Sequence, residues 1–233
     1  MSVPRAVLLD GMGTLLALSA PAPRLVAELG SRGLELALED AERAFAAEIA
    51  YYRLHHLQGR DAHSLTDLRT RCAEVLRHSL PPALGRALGA QELTATMLQC
   101  LRFEVYPDVP RALVALRERG LRLLVLSNWD ISLHQVLRHT QIGELLDGIL
   151  TSAEVGQPKP TSTIFQAALE LAGVSAEQAT HVGDSLELDV VGAQRAGIAP
   201  VWLRRPSSAL QAPLDDPGFP FITSLDQLPA LLT

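Results

Sequence analysis

Two rhythms of apolar residues alternate along the chain. In the first, short unbroken runs stop at polar residues. Val7-Leu8-Leu9 runs into Asp10, Leu123-Leu124-Val125-Leu126 into Ser127-Asn128, and Ile149-Leu150 precedes a loop carrying Lys159. His181-Val182-Gly183 likewise runs into Asp184-Ser185, and a further run covers residues 200–203. Such runs suit strands buried on both faces of a parallel sheet. In the second rhythm apolar residues recur every three or four positions, as in Leu38, Ala41, Phe45, Ile49 and Tyr52, then Leu65, Leu68, Cys72, Val75 and Leu76. That is the spacing of one helix face. From about Pro23 to Gln99 only the second rhythm occurs, punctuated by Gly59-Arg60-Asp61 and Pro81-Pro82. Ala20-Pro21-Ala22-Pro23 reads as a breaker at the exit from the first strand.

After Tyr106-Pro107-Asp108 the rhythms alternate. Helices are expected up to Arg119 and over residues 131–140, 161–172 and 188–196, with Gly120, Gly173 and Gly197 as C-terminal stops. Strands are expected over 121–126, 148–151, 181–183 and 200–203. A loop over 204–218, a short strand at Phe221-Ile222 and a closing helix near 225–232 complete the chain. This alternation predicts an α/β fold with a doubly wound parallel, Rossmann-like sheet. With five strands counted in chain order, the expected spatial order is 5-4-1-2-3, which sets the strand ending at Asp10 between those ending at Ser127 and Asp184. Residues 1–16 and 104–233 form the expected core domain, and residues 17–103 an inserted helical domain.

Composition narrows the function classes. The chain has 233 residues, 48% hydrophobic and 20% charged, enough for a sizeable core. Its net charge of -6 and lack of a basic stretch argue against a nucleic-acid partner. No run approaches the roughly 18 apolar residues of a membrane span, and no export signal is evident at the N-terminus, so no membrane partner is expected. Cys72 and Cys100 form no CxxC and are expected as reduced thiols, which gives a cytoplasmic address. Lys159 is the single lysine and Asn128 the single asparagine, in a chain that otherwise uses arginine for its positive charge. Both stand at strand ends. Lysine is a compact point charge, able to approach a nucleophile and a phosphoryl oxygen together.

The strand ends thus supply a carboxylate, a hydroxyl with an amide, a cation and a second carboxylate. That set can grip a phosphate and a magnesium ion together. Asp10-x-Met12-Gly13-Thr14-Leu15, Ser127-Asn128, Lys159-Pro160 and Gly183-Asp184-Ser185 with Asp189 resemble the four ordered motifs of the haloacid dehalogenase-like (HAD) hydrolase superfamily. They span nearly the whole chain. The resemblance implies that the helical insertion is a cap of the kind that closes over a site, excludes water and selects substrate. It implies Asp10 as the nucleophile of an aspartyl-phosphate mechanism, with Lys159 neutralising nucleophile and phosphate. Thr14, Ser127, Asn128 and Lys159 group as phosphate-binding residues, Asn128 also orienting the neighbouring loop. Magnesium would be held by Asp10, Asp184 and the main-chain carbonyl of Met12, while Asp189 holds a metal-bound water or orients Lys159. The plainer alternatives are a turn aspartate at Asp10, a helix cap at Asp184 and a solvated helix charge at Asp189. Trp129, Tyr51, Tyr52, His55 and His56 are candidates for lining a substrate pocket. The alternative is an apolar stripe for the tyrosines and a solvated helix face for the histidines.

The phosphatase form of the first motif is Asp-x-Asp-Gly-Thr, and Met12 stands where its second Asp would be. Ser127-Asn128-Trp129-Asp130 and Gly156-Gln157-Pro158-Lys159-Pro160 resemble a branch in which that Asp is often missing. In the resembled phosphatases its side chain protonates the leaving group and then activates water, work worth roughly 10²–10⁴-fold. Three readings follow. The first is a magnesium-dependent phosphohydrolase acting on a small phosphorylated metabolite, weakened or restricted to leaving groups that need little protonation. The second is a carbon–halogen hydrolase of the dehalogenase type, which needs no acid at Met12 and no metal ligand at Asp184. The third is a non-catalytic phosphate- or metabolite-binding relative.

Overall fold

The computed structural model describes residues 4–205 and 218–232, so most of the loop expected over 204–218 lies outside them. In chain order, β1 (Ala6–Leu9) and β2 (Leu16–Ser19) precede five helices. These are α1 (Pro21–Gly30), α2 (Leu38–His55), α3 (Ala62–Ser79), α4 (Pro82–Ala87) and α5 (Ala90–Cys100), followed by β3 (Arg102–Val105). Then come α6 (Val109–Glu118), β4 (Arg122–Ser127), α7 (Ser132–Arg138), β5 (Gly148–Thr151), α8 (Ser152–Val155) and α9 (Ser162–Ala172). The chain closes with β6 (Ala179–Gly183), α10 (Gly192–Arg195), β7 (Ala199–Leu203), β8 (Phe221–Ile222) and α11 (Leu228–Leu231). It divides into two compact units, Met1–Ala17 with Val105–Thr233, and Leu18–Glu104.

The first unit is built on a parallel sheet of order β5-β4-β1-β6-β7-β8. This is the expected five-strand order, extended at one edge by Phe221–Ile222. β1 pairs with β4 on one side and β6 on the other, and all four of its residues are buried. A strand paired on both edges and covered on both faces favours apolar residues, which is why its run is continuous. Ala6 and Leu8 pack with Leu124 and Leu126 against Ile164, Phe165 and Ala168 of α9. The Asp10 N–H still donates to the Val182 carbonyl at 2.9 Å, so Asp10 is the last residue held by the sheet.

The Leu18–Glu104 unit is helical around Leu25, Leu29, Phe45, Leu68, Leu76, Leu93 and Met97. Asp61 and Ser64 form a reciprocal capping box at the start of α3. Cys72 and Cys100 are buried thiols in no disulfide, and burial pushes the Cys100 thiol up to about 11.

Several details differ from expectation. Pro21 and Pro23 do not break the chain but open α1, because a proline in the first helical turn forfeits no intrahelical hydrogen bond. β2 and β3 pair as a two-stranded ladder that the sequence pattern did not announce, each being only 4 residues long. The α2 stripe shifts: Leu38 is exposed, while Glu48 is buried and its carboxyl raised by that burial against an opposing Cys72 hydrogen bond. His56 is buried and not on a solvated helix face. α2 ends at His55 and the chain tightens into a 3₁₀ turn that swings the His56 ring inward, so the helical repeat no longer applies there. The helix expected over 188–196 is a π-helical turn, Leu186–Val191, continued by α10.

Candidate active site

The polar residues that end the strand runs converge at the C-terminal edge of the sheet, where open α/β sheets bind ligands. Lys159, 3% exposed, is the hub. Its Nζ donates to Asp10 Oδ1 and to Asp189 Oδ1, both at 2.6 Å. Asn128 holds the lysine from behind: its Oδ1 accepts from the Lys159 N–H at 2.7 Å, and its Nδ2 donates to the Lys159 carbonyl at 3.0 Å. These are the contacts that a loop-orienting Asn128 would make, and they leave one Nδ2 hydrogen uncommitted to the Lys159 main chain. Ser127 Oγ lies 3.5 Å from Asp10 Oδ1.

Asp189 is no solvated charge. It is 1% exposed, accepts from the Ser185 N–H at 2.9 Å through Oδ2 and meets His181 Nε2 at 3.0 Å through Oδ1. The cap on the following turn is Ser185, whose Oγ accepts from the Leu188 N–H, so Asp184 is left clear of that task. Two glycines make the crowding possible. A Cβ on Gly13, whose φ is +85°, would collide with the Asp184 carboxylate, and one on Gly183 would collide with Asp189.

The charges do not balance. Carboxylate oxygens of Asp10, Asp184 and Asp189 lie within 4.8 Å of one another, with one lysine among them. Burial opposes ionisation of Asp189, but Lys159 and His181 outweigh it and hold its carboxyl well below the usual range. Burial likewise works against the charge on Lys159, and the two aspartates more than reverse it. Asp10 is pushed up to about 7 by burial and by its two aspartate neighbours, against the pull of Lys159. Asp184 is raised to about 6 by burial and by Asp189. Asp10 Oδ2 and the Thr14 hydroxyl are buried without a hydrogen-bond partner among the described residues. An orphaned carboxylate oxygen in a cluster of uncompensated negative charge fits a hard divalent cation with oxygen ligands.

Met12 is half-buried in the turn after Asp10. The Leu16 N–H donates to the Gly11 carbonyl and the Gly13 N–H to the Leu16 carbonyl, so across planar trans peptides the Met12 carbonyl faces away from Leu16.

A protein-family model described as haloacid dehalogenase-like hydrolase matches residues 4–197. The chain belongs to the haloacid dehalogenase-like hydrolases. Among curated members of this hydrolase family, it is 37% identical over 131 residues to haloacid dehalogenase-like hydrolase domain-containing protein 3 of Bos taurus, covering 55% of this chain and 52% of that protein. It is 36% identical over 133 residues to the phosphoserine phosphatase of Thermus thermophilus, covering 56% and 53%. The matched stretch spans about half the length of these relatives. The L-2-haloacid dehalogenase of Xanthobacter autotrophicus shares the fold with a TM-score of 0.70 at 22% identity, over 98% of each chain. Phosphatases and dehalogenases therefore both stand near this HAD-like chain, and the fold does not choose between them.

Trp129 is buried with its main chain tied to Ser152, and Tyr51 and Tyr52 pack on the helical unit's own core. His181 and Arg205 escaped the sequence reading. The signal for His181 was a polar residue inside an otherwise apolar strand run. For Arg205 it was a charged pair, Arg204-Arg205, at the end of the fifth run.

Proposed function

We propose that the chain is a magnesium-dependent phosphohydrolase acting on a small phosphorylated metabolite through an aspartyl-phosphate at Asp10. One observation carries this reading: the Asp10, Asp184 and Asp189 carboxylates cluster together, Lys159 bonds Asp10 and Asp189, and Asp10 Oδ2 is left orphaned among the described residues. A carbon–halogen displacement by Asp10 has no use for the surplus charge at Asp184, whereas a phosphoryl transfer does. Asp10, Asp184 and the Met12 carbonyl would hold the magnesium. Once bound, it would screen the phosphate's charge and orient it for in-line attack.

Asp10 attacks phosphorus, the bond to the leaving oxygen breaks, and water then cleaves the acyl phosphate, returning the carboxylate and inorganic phosphate. Lys159 neutralises charge on Asp10 and on the phosphoryl group, held in place by Asp189 and Asn128. Thr14 and Ser127 would donate to phosphoryl oxygens. Met12 has no proton to give, so the leaving group must depart unprotonated or take its proton from water. Acyl and activated phosphates meet that condition, and alkyl phosphates do not. The phosphatase among the curated relatives supports the class, and the buried reduced thiols accord with a cytoplasmic address.

The test is a screen of acyl, aryl and alkyl phosphates with and without magnesium. Magnesium-dependent turnover of the acyl and aryl esters, with alkyl esters lagging, is expected. Absence of turnover on every activated phosphate would move the chain to the metabolite-binding reading. Metal-independent turnover of a 2-haloacid would move it to the dehalogenase reading, which Met12 favours.

A further inference from the structure

The turn after Asp10 has a second anchor, supplied from the far end of the chain. Arg205 is 8% exposed. Its Nε donates to the Gly13 carbonyl at 3.1 Å and its Nη2 to the Thr14 carbonyl at 2.7 Å. Nη1 donates to both oxygens of Asp108, at 3.0 and 3.1 Å, and the guanidinium lies 3.7 Å from the centre of the Tyr106 ring. Asp108 in turn accepts from Ser224 Oγ at 3.0 Å and from the Leu225 N–H at 2.7 Å. All these groups lie in the sheet-bearing unit.

A guanidinium is a rigid planar fork. With two consecutive carbonyls on one side and a carboxylate on the other, it cannot follow a shift of the turn without losing a buried hydrogen bond. Gly13 is therefore held at both ends, its N–H by the Leu16 carbonyl and its carbonyl by Arg205. The Asp184 carboxylate rests directly against the Cα of that same glycine. The Met12 carbonyl belongs to the peptide unit just before it.

We infer that Arg205 is a positioning residue: by gripping the Gly13 and Thr14 carbonyls it sets the spacing of Asp10, the Met12 carbonyl and Asp184. The role assigned to it is one of position, not of contact with phosphate or cation. Its grip on the turn is independent of the proposed function, while its effect on magnesium rests on that reading.

The experiment uses the full chain with Arg205→Met, which keeps length and removes the fork, and Arg205→Lys, which keeps charge but cannot span both carbonyls and Asp108. Each is studied at a temperature where circular dichroism shows it folded. Amide hydrogen exchange is read by mass spectrometry on peptides covering residues 10–16, with α3 and α9 as references. Magnesium affinity is read by calorimetry in inorganic phosphate, and kcat and KM on an activated aryl phosphate. Both variants should exchange faster in the turn with the reference helices unchanged. They should bind magnesium about ten- to a hundredfold more weakly, the range for residues that orient a metal's ligands. The loss should fall in kcat with KM little altered. Unchanged exchange in the turn would overturn the inference. So would a loosened turn with wild-type magnesium affinity, since Arg205 would then only brace the C-terminal segment. If Arg205→Met does not fold, Arg205→Lys decides on the same readings. If the wild type itself binds no magnesium, the proposed function fails and turn exchange alone decides the role of Arg205.

Discussion

Met12 and the two raised carboxyls are where single residues decide behaviour. On the proposed function, Met12→Asp supplies a missing proton donor, so turnover of an alkyl phosphate should rise on the order of tenfold to a thousandfold. An acyl phosphate should gain mainly in breakdown of its aspartyl-phosphate. Steady-state hydrolysis of both substrates at saturating magnesium checks this. If a folded, magnesium-binding Met12→Asp gains nothing on the alkyl ester, the impaired-phosphatase reading falls behind the binding reading. The carboxyls carry a pH signature in the metal-free protein. Unfolded, both lose their protons near the ordinary value of 3.8; folded, Asp184 keeps its proton to about 6 and Asp10 to about 7. Between these limits the folded chain binds more protons than the unfolded one, so stability should fall as pH rises through that window. The depressed Asp189 acts the other way, but its contribution is lost only below 3.8, and that of Lys159 only above 10.5. The Tm of metal-free protein should therefore drop from pH 5 to 8, and Asp10→Asn should flatten the slope.

At the scale of elements, the site depends on loops tied to one another across the sheet edge. Asn128 joins the end of β4 to the Lys159 loop before α9 through two main-chain hydrogen bonds. Asn128→Ala removes both, and two such bonds are worth about 1–3 kcal/mol of stability. The larger effect should be on rate. Lys159 Nζ is placed only as well as its backbone, and a displacement near 1 Å costs on the order of a hundredfold. Denaturant midpoints together with kcat on an activated phosphate separate the two. A kcat within twofold of wild type would show that Asp10 and Asp189 hold the lysine unaided.

For the whole molecule, the surplus of buried negative charge makes stability and ligation one property. Magnesium at about a hundred times its Kd should stabilise the fold by about 2.7 kcal/mol. In a chain of this size that is a rise in Tm of roughly 5–10 °C. With Asp184 a magnesium ligand as proposed, Asp184→Asn replaces a charged ligand oxygen with a neutral one and should abolish most of that rise while making the metal-free protein no less stable. A thermal scan with and without magnesium, in phosphate, measures both. An equal magnesium shift in wild type and Asp184→Asn would remove Asp184 from the metal site.

The sequence by itself determined the succession of strands and helices along the chain, the helical character of the inserted stretch and which residues stand at strand ends. Those features are local: a run such as Val7-Leu8-Leu9 can be continuous only where both faces are covered, and the first polar residue after it marks where the sheet stops. Tertiary structure alone decided what each end residue touches. Lys159 meets Asp10 across 149 positions, and Arg205 grips Thr14 across 191. No periodicity records such a pairing, because its energy comes from the absence of water between groups that the chain brings together only when folded. For the same reason Asn128 became the clamp on Lys159, and the burial of Glu48 and His56 and the short β2–β3 ladder went unforeseen. Each depends on which neighbour displaces solvent, and that is set by the packing of distant segments.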